Sequence, residues 1–349
     1  MRILYAIQGT GNGHLSRARE IIPILKQMSD VDILVSGTQA DVKLPYEINY
    51  QLKGMSFVFG KNGGVDLPAT FLQLSTRNMY KDIAELPVED YDLILNDFEP
   101  VSAWACQQKK IPCISLSHQC AVLNKNAPKP KVKDIIGKAV LKYYAPCTDY
   151  YGFHFQSYDT NIFTPVIRSE VRAMIPENRD HYTVYLPAYD DERILSMLKN
   201  FDHINWHVFS KHTRKEYTSG NVAIHKIENE PFLQSMALGK GVLCGAGFET
   251  PAEALFLKKK LAVIPMKTQY EQQCNAAALK SMGVPVFKSL KEKHIDKIST
   301  WLNSKKHIKV DYADRTEEII VSILKKHTNK RTFSAKMKYN NMLSLPLAK

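Results

Sequence analysis

Several signatures that would settle a class at once are missing from this chain. No stretch of about 18 apolar residues occurs, so a membrane-spanning helix is not expected. The opening "MRILYAIQG" turns polar too soon for a secretory leader, which points to the cytoplasm. The six cysteines, Cys106, Cys113, Cys120, Cys147, Cys244 and Cys274, never fall as CxxC or pair with histidines at zinc-ligand spacing. They read as reduced, mostly buried thiols. A nucleic-acid footprint is missing too, because the net charge of +12 is not spread as basic residues interleaved with aromatics. It is concentrated in residues 124–142, with six lysines and one aspartate, and from Lys325 onward, with six lysines, one arginine and no acid. Segmental basicity of this kind suits an anionic membrane surface or a phosphorylated acceptor, and equally solvated loops and a solvated tail.

What is present is an alternating rhythm. With 349 residues at 44% hydrophobic content the chain can fill more than one core. "RILYAIQG" reads as a strand ending in glycines, and Leu15, Ala18, Ile22 and Leu25 then recur at helical spacing. "VDILVSG", "YDLILND" and "IPCISLSHQ" read as further strands, with "PVSAWACQQKK" as a helix between the last two. After a turn-rich stretch near Pro165 and Pro176 the rhythm restarts at "YTVYLP" and continues through "KLAVIP". The expected fold is α/β, with two Rossmann-like, doubly wound parallel sheets. Domains are expected over residues 1–165 and 166–325, followed by a basic tail, 326–349, folding back on the first.

The motif "GTGNGHLSRA" sits between the first strand and the first helix, where a dinucleotide fingerprint would sit. That fingerprint is G-x-G-x-x-G with an acid at the end of the second strand. Here His14 occupies the third glycine's place and the second strand ends in "VSGTQ". A nicotinamide or flavin site is therefore not expected. Gly11 and Gly13 leave a turn that another molecule can approach, and the helix dipole at the first turn favours a neutral His14. A neutral imidazole beside an open turn can act as a general base or can simply pack the helix start. Farther along, "GVLCGAGFETPAEAL" gives a second strand, glycine turn and helix. Thr250 is expected as its N-cap and Pro251 as its first residue, an arrangement suited to an anion.

Residues 241–283, with "GTGNGHLSRA", "YDLILNDFEPVSAWACQQKKIPCISLSHQ" and "TPVIRSEV", resemble glycosyltransferases of the GT-B fold. The likeness is greatest to the family 28 group, which includes the lipid II N-acetylglucosaminyltransferase and the diacylglycerol glycosyltransferases. It implies two domains facing across a cleft and an enzyme using a nucleotide-sugar as co-substrate, with UDP favoured and no further cofactor. In that comparison Gly245, Gly247, Phe248 and Thr250 match the turn that holds the diphosphate. Glu253 matches the acid on the donor ribose, and Glu271, Gln272 and Asn275 match groups gripping the sugar. Ile227 matches the residue whose backbone reads the base, with Phe209 and Phe232 near its walls. Gly245 stands where relatives carry histidine or arginine, so Arg168 or a backbone amide is expected to take that phosphate contact. Glu249 would repel a diphosphate unless it points away.

His14 matches the proposed base, with Asp97 behind it and His118 as the rival on the acceptor side, next to Gly11 and Gly13. Direct displacement by one base implies inversion, and a helix N-terminus can carry the leaving phosphate without a metal. The acceptor is expected to be lipid-linked, on the evidence of "MSFVFGKNGGVDLPATFLQL" and of the lysine-rich "APKPKVKDIIGKAVLKYYAP" with Lys129, Lys131 and Lys133. That would place the protein on the inner membrane face. Ile135, Ile136, Val140 and Leu141 can equally form the core face of a helix. Two other classes share the pattern: a nucleotide-sugar epimerase or hydrolase of the UDP-N-acetylglucosamine 2-epimerase type, and a non-catalytic sugar-nucleotide-binding module.

Overall fold

The computed structural model describes residues 1–37, 44–54, 76–131 and 134–328. The sequence stretch 55–74, Lys133 and the tail beyond 328 lie outside them. The first sheet begins with β1 (Arg2–Gln8), whose last six residues are all buried, as expected for a parallel strand covered on both faces. Helix α1 (Asn12–Met28) follows and runs through Pro23, burying Leu15, Ala18, Ile22 and Leu25 as their spacing predicts. Then come β2 (Asp30–Ser36), β3 (Tyr50–Leu52), α2 (Thr76–Glu85), β4 (Leu93–Asp97) and α3 (Pro100–Lys109). α3 starts sharply because the buried Glu99 carboxylate accepts from the amides of Val101 and Ser102, with Pro100 at its first position. The half closes with β5 (Ile114–Ser117), α4 (His118–Leu123), α5 (Ile135–Tyr143), β6 (Asp149–Phe153) and β7 (Ile162–Phe163).

All pairings in this sheet are parallel, in the order β3-β2-β1-β4-β5-β6-β7. The order reverses direction between β1 and β4. The crevice at the carboxyl ends of those two strands is where such sheets bind ligands.

The second half has β8 (Arg179–Tyr185), α6 (Asp191–Leu198), β9 (Trp206–Ser210), β10 (Tyr217–Ser219), β11 (Val222–Lys226), α7 (Asn229–Leu238) and β12 (Gly239–Gly245). It continues with α8 (Glu249–Phe256), β13 (Lys260–Ile264), α9 (Tyr270–Ser281) and α10 (Ile295–Asn303). Its strand order is β10-β11-β9-β8-β12-β13, parallel except for the edge hairpin β10/β11. The reversal here lies between β8 and β12. The last described helix, α11 (Thr316–His327), returns to pack on α1, burying Ile319, Ile320, Ile323 and Leu324 in the same cluster as Ile21 and Ile22. His327 Nε2 lies 2.8 Å from the Tyr151 hydroxyl of β6.

A histidine stack crosses the second sheet, His181 against His207 at 4.2 Å between ring centres and His207 against His225 at 5.2 Å. Burial, together with the two neighbouring imidazoles, lowers His207 to about 4, and burial lowers His181 as well. The unfolded chain therefore takes up protons before the folded one does. Stability should be flat above about pH 6.5 and fall as the pH drops from there towards 4. His207 should contribute about 2 kcal/mol of that loss after allowance for solvent screening. Chemical denaturation at neutral pH and near pH 4.5 would show the slope, and a His207→Gln variant with an unchanged slope would refute the assignment.

Candidate functional site

The two reversal points face each other across a cavity of about 890 Å³, lined from both halves. From the first sheet come the loop Thr10–His14 and Arg17. From the second come the turn after β12, the segment 185–190 after β8, and the start of α9. Gly11 adopts φ +92° at the N-cap of α1, a conformation that favours glycine. Gly13 marks a close approach of the two halves: a Cβ there would push aside the carboxylate of Glu249 from the opposite domain.

His14 and Asp97 meet as their places at the ends of β1 and β4 dictate. His14 Nδ1 lies 2.8 Å from Asp97 Oδ1. On the other side of the ring, Nε2 lies 3.3 Å from the Gln119 amide nitrogen, which also donates to Glu271 at 3.0 Å. Nδ1 faces the Asp97 carboxylate at 2.8 Å and, farther off, the Arg17 Nη2 at 3.2 Å; the nearer carboxylate and the donor facing Nε2 favour the tautomer with the proton on Nδ1. The basic lone pair is then on Nε2. Phe98, directly after Asp97, takes the left-handed conformation at φ 59°, and its ring lies parallel to His14 at 6.3 Å.

Arg17, one turn along α1, was not singled out by the sequence, yet it joins the two halves. Its Nη2 donates to both Asp97 oxygens at 2.7 and 2.8 Å and its Nε donates at 3.1 Å. Its Nη1 reaches across the cavity to Glu249 Oε1 at 2.8 Å. Burial opposes ionisation of Asp97, but Arg17 and then His14 hold its carboxyl below the usual range. Glu249 thus has a cationic partner in Arg17 while its side chain lines the same cavity.

The turn itself is open. Gly245, Gly247, Phe248 and Thr250 all line the cavity, and nothing lies within 4 Å of a Cβ built on Gly247. α8 begins at Glu249 with Phe248 as its cap and no side-chain cap, so Thr250 is not the N-cap and Pro251 is not the first residue. Proline is tolerated at the third position because amides of the first turn have no helical acceptor. Gly13→Ala is expected to push the flexible end of Glu249 aside and to lower the melting temperature only slightly, by less than about 1 kcal/mol, as loss of the partly exposed Glu249 contact would. Gly247→Ala should leave the melt unchanged, since its Cβ would meet nothing within 4 Å. A loss of more than about 1 kcal/mol in the thermal melt of either variant would contradict this reading.

Other expected residues divide between those that face the cavity and those that do not. Ile227, Phe232, Glu271 and Gln272 line it. Glu253 lines it as well, but both its oxygens are held by Arg168, at 2.8 Å for Nη2. Burial pushes the Glu253 carboxyl up, against the pull of Arg168. Arg168 lines the cavity too and also bonds Glu170 and Asn229, so its guanidinium is shared among side-chain partners on the cavity wall. The cavity has other cationic side chains, Arg193, Lys211, Lys267 and Lys291. Phe209 is buried against His225 and Phe232 and is no wall of the cavity.

Asn275 is fully buried, bonding the Ala246 carbonyl and His118 Nε2. The other nitrogen of His118 faces the Phe153 carbonyl at 2.8 Å, and its ring stacks on Phe248 at 3.9 Å. With both nitrogens engaged and burial lowering its basicity, His118 is a seam between the halves and not a free base. Lys129 also departs from expectation: its ammonium donates to the carbonyls of Val122, Asn124 and Ala127, closing the end of α4.

Residues 1–304 match the family described as Glycosyl transferase family 1. The chain belongs to that family. No curated protein matches the sequence. Among solved structures, this glycosyltransferase is similar to the glycotransferase of kitacinnamycin, at 12% identity, covering 98% of each chain with a TM-score of 0.57. It is also similar to MurG of Acinetobacter baumannii, at 13% identity over 98% of this chain and 99% of that one, TM-score 0.52. A third is Arabidopsis thaliana UGT89C1 complexed with quercetin, at 11% identity over 97% and 99%, TM-score 0.57. Identities this low speak to architecture, and the architecture is GT-B: two α/β domains whose sheet reversal points enclose one cleft. Among the described residues, no helix of this glycosyltransferase is long and apolar enough to cross a membrane.

Proposed function

We propose that the protein transfers a hexose or N-acetylhexosamine from a nucleoside-diphosphate sugar, UDP first among the candidates, to an acceptor hydroxyl with inversion. One observation carries this reading: the His14–Asp97 pair stands at the reversal point of one sheet and faces the open turn 245–250 at the reversal point of the other. The acceptor oxygen attacks the anomeric carbon as the bond from that carbon to the diphosphate oxygen breaks. The acceptor proton passes to His14 Nε2, and Asp97 stabilises the imidazolium through Nδ1–H. Negative charge growing on the leaving diphosphate meets the first-turn amides of α8 and the cavity cations. Glu253, Glu271 and Gln272 offer acceptors and donors for ribose and sugar hydroxyls.

UDP is favoured because structurally similar proteins were captured with it, among them LpCGTa and UGT89C1. The family 28 likeness of the motifs, together with the similarity to MurG, supports a lipid-linked acceptor. A thermal-shift screen against UDP-, GDP- and dTDP-sugars tests the donor, since a ligand of the folded state raises the melting temperature by mass action. No shift with any of them would overturn the reading. Product NMR showing a retained anomer would overturn the single displacement. Conversion of the donor sugar to its epimer without acceptor would favour the epimerase class instead.

A further inference from the structure

Helix α5 presents its apolar side chains to solvent. Ile135 is 79% exposed, Ile136 60% and Tyr143 58%, whereas Leu141 on the other side is buried. The isoleucines are therefore not the core face that the sequence alone allowed. At 100° per residue Ile135, Ile136 and Tyr143 share an arc of about 100°, and the exposed Lys138 and Lys142 fill the adjoining arc. Trp104 of α3 donates its indole N–H to the Tyr144 carbonyl, setting a half-exposed ring at the Tyr143 end. Lys125 and Lys131 are exposed on the preceding loop. The only acid between residues 124 and 143 is Asp134, whose carboxylate caps the helix through the Gly137 amide.

We propose that α5 seats this protein on an anionic lipid surface. Ile135, Ile136 and Tyr143 would enter the boundary of the acyl chains while Lys138 and Lys142 meet headgroup phosphates. Three apolar side chains on a nine-residue helix offer far less than the roughly 1,200 Å² of total buried area that a stable protein pair needs. An apolar strip bordered by lysines with no uncommitted acid is complementary to an anionic bilayer. The position of α5 gives the docking a consequence. Gly137 packs directly on Tyr270 at the start of α9, the helix that brings Glu271 to the cavity. Seating α5 would bring the cleft to the membrane, where a lipid-linked hydroxyl lies. That consequence rests on the transferase reading; the docking face does not.

The test is sedimentation of the full chain with phosphatidylcholine vesicles, with and without phosphatidylglycerol. The wild type is compared with Ile135→Ser/Ile136→Ser and with Lys138→Gln/Lys142→Gln. All four positions are solvent-exposed, so the melts of both variants should match wild type, as should their shifts with UDP-sugars. The wild type should sediment with anionic vesicles and much less with neutral ones, and each paired variant should lose about tenfold or more in partitioning. The proposal is overturned if wild type stays in the supernatant or if the variants sediment as wild type does. It is also overturned if ultracentrifugation shows a self-association that the isoleucine pair abolishes, which would assign the face to a second copy. Vesicle binding that persists while no UDP-sugar binds supports the docking face and removes only the donor reading.

Discussion

Replacing His14 by alanine is expected to reduce kcat by about 10²–10⁴-fold while leaving nucleotide-sugar binding, read as a thermal shift, nearly unchanged. The expectation follows from geometry. His14 is at the rim of the cavity, its Nδ1 is tied to Asp97 at 2.8 Å, and its Nε2 faces the Gln119 amide. The rival His118 is bonded at both nitrogens, to the Phe153 carbonyl and the Asn275 oxygen, and its side chain is 2% exposed against 11% for His14. Asp97→Asn should also be severe, since an amide neither fixes the tautomer nor stabilises the imidazolium. It will cost stability as well, because Arg17 loses its carboxylate fork. His14→Ala carries no such penalty and is the cleaner test. Turnover by that variant at the wild-type rate would remove His14 from the chemistry.

Both members of this pair were legible in the sequence, and the reason is topological. A residue just past a strand of an alternating α/β chain lies at the carboxyl edge of the sheet, and strands flanking the reversal bring such residues together. Local reading was therefore enough for His14 and Asp97, and for the open turn 245–250. It was not enough for Arg17, which looks like one more polar residue on the first helix until closure of the two halves sets Asp97 and Glu249 around it. Glu249 was legible as an anomaly, an acid in a phosphate turn, but the direction of its side chain depends on a partner 232 residues away. Asn275 and Phe209 failed as ligand contacts for a similar reason. Resemblance places them near the site, while burial against Ala246 and His118, and against His225 and Phe232, decides what they touch. Periodicity likewise marked an apolar face on α5 without telling what would cover it.

The largest stability effect should come from Arg17→Met, a change that nearly conserves volume. Arg17 and Asp97 have side-chain exposures of 1% and 0%, so the charge left on Asp97 would be buried with His14 as its remaining partner. Breaking one side of such a pair costs about 3–5 kcal/mol, or roughly 4–7 °C in melting temperature for a chain of 349 residues. The pH dependence should distinguish this from a loss of packing. In the wild type, burial acts against Asp97 but Arg17 and His14 hold its pKa down, so its contribution is present at neutral pH and fades as the pH falls through the acid range. Without Arg17, burial dominates and the carboxyl shifts upward. The deficit of the variant should then narrow as the pH drops towards 4. Arg17→Lys should recover only part of the loss, because a single ammonium cannot fork Asp97 and reach Glu249 together. Glu249→Gln should cost much less, since its side chain is 29% exposed and water can replace the lost partner. If Arg17→Met and Glu249→Gln prove equally mild, Asp97 does not depend on Arg17 for its charge, and the electrostatic account of the site fails.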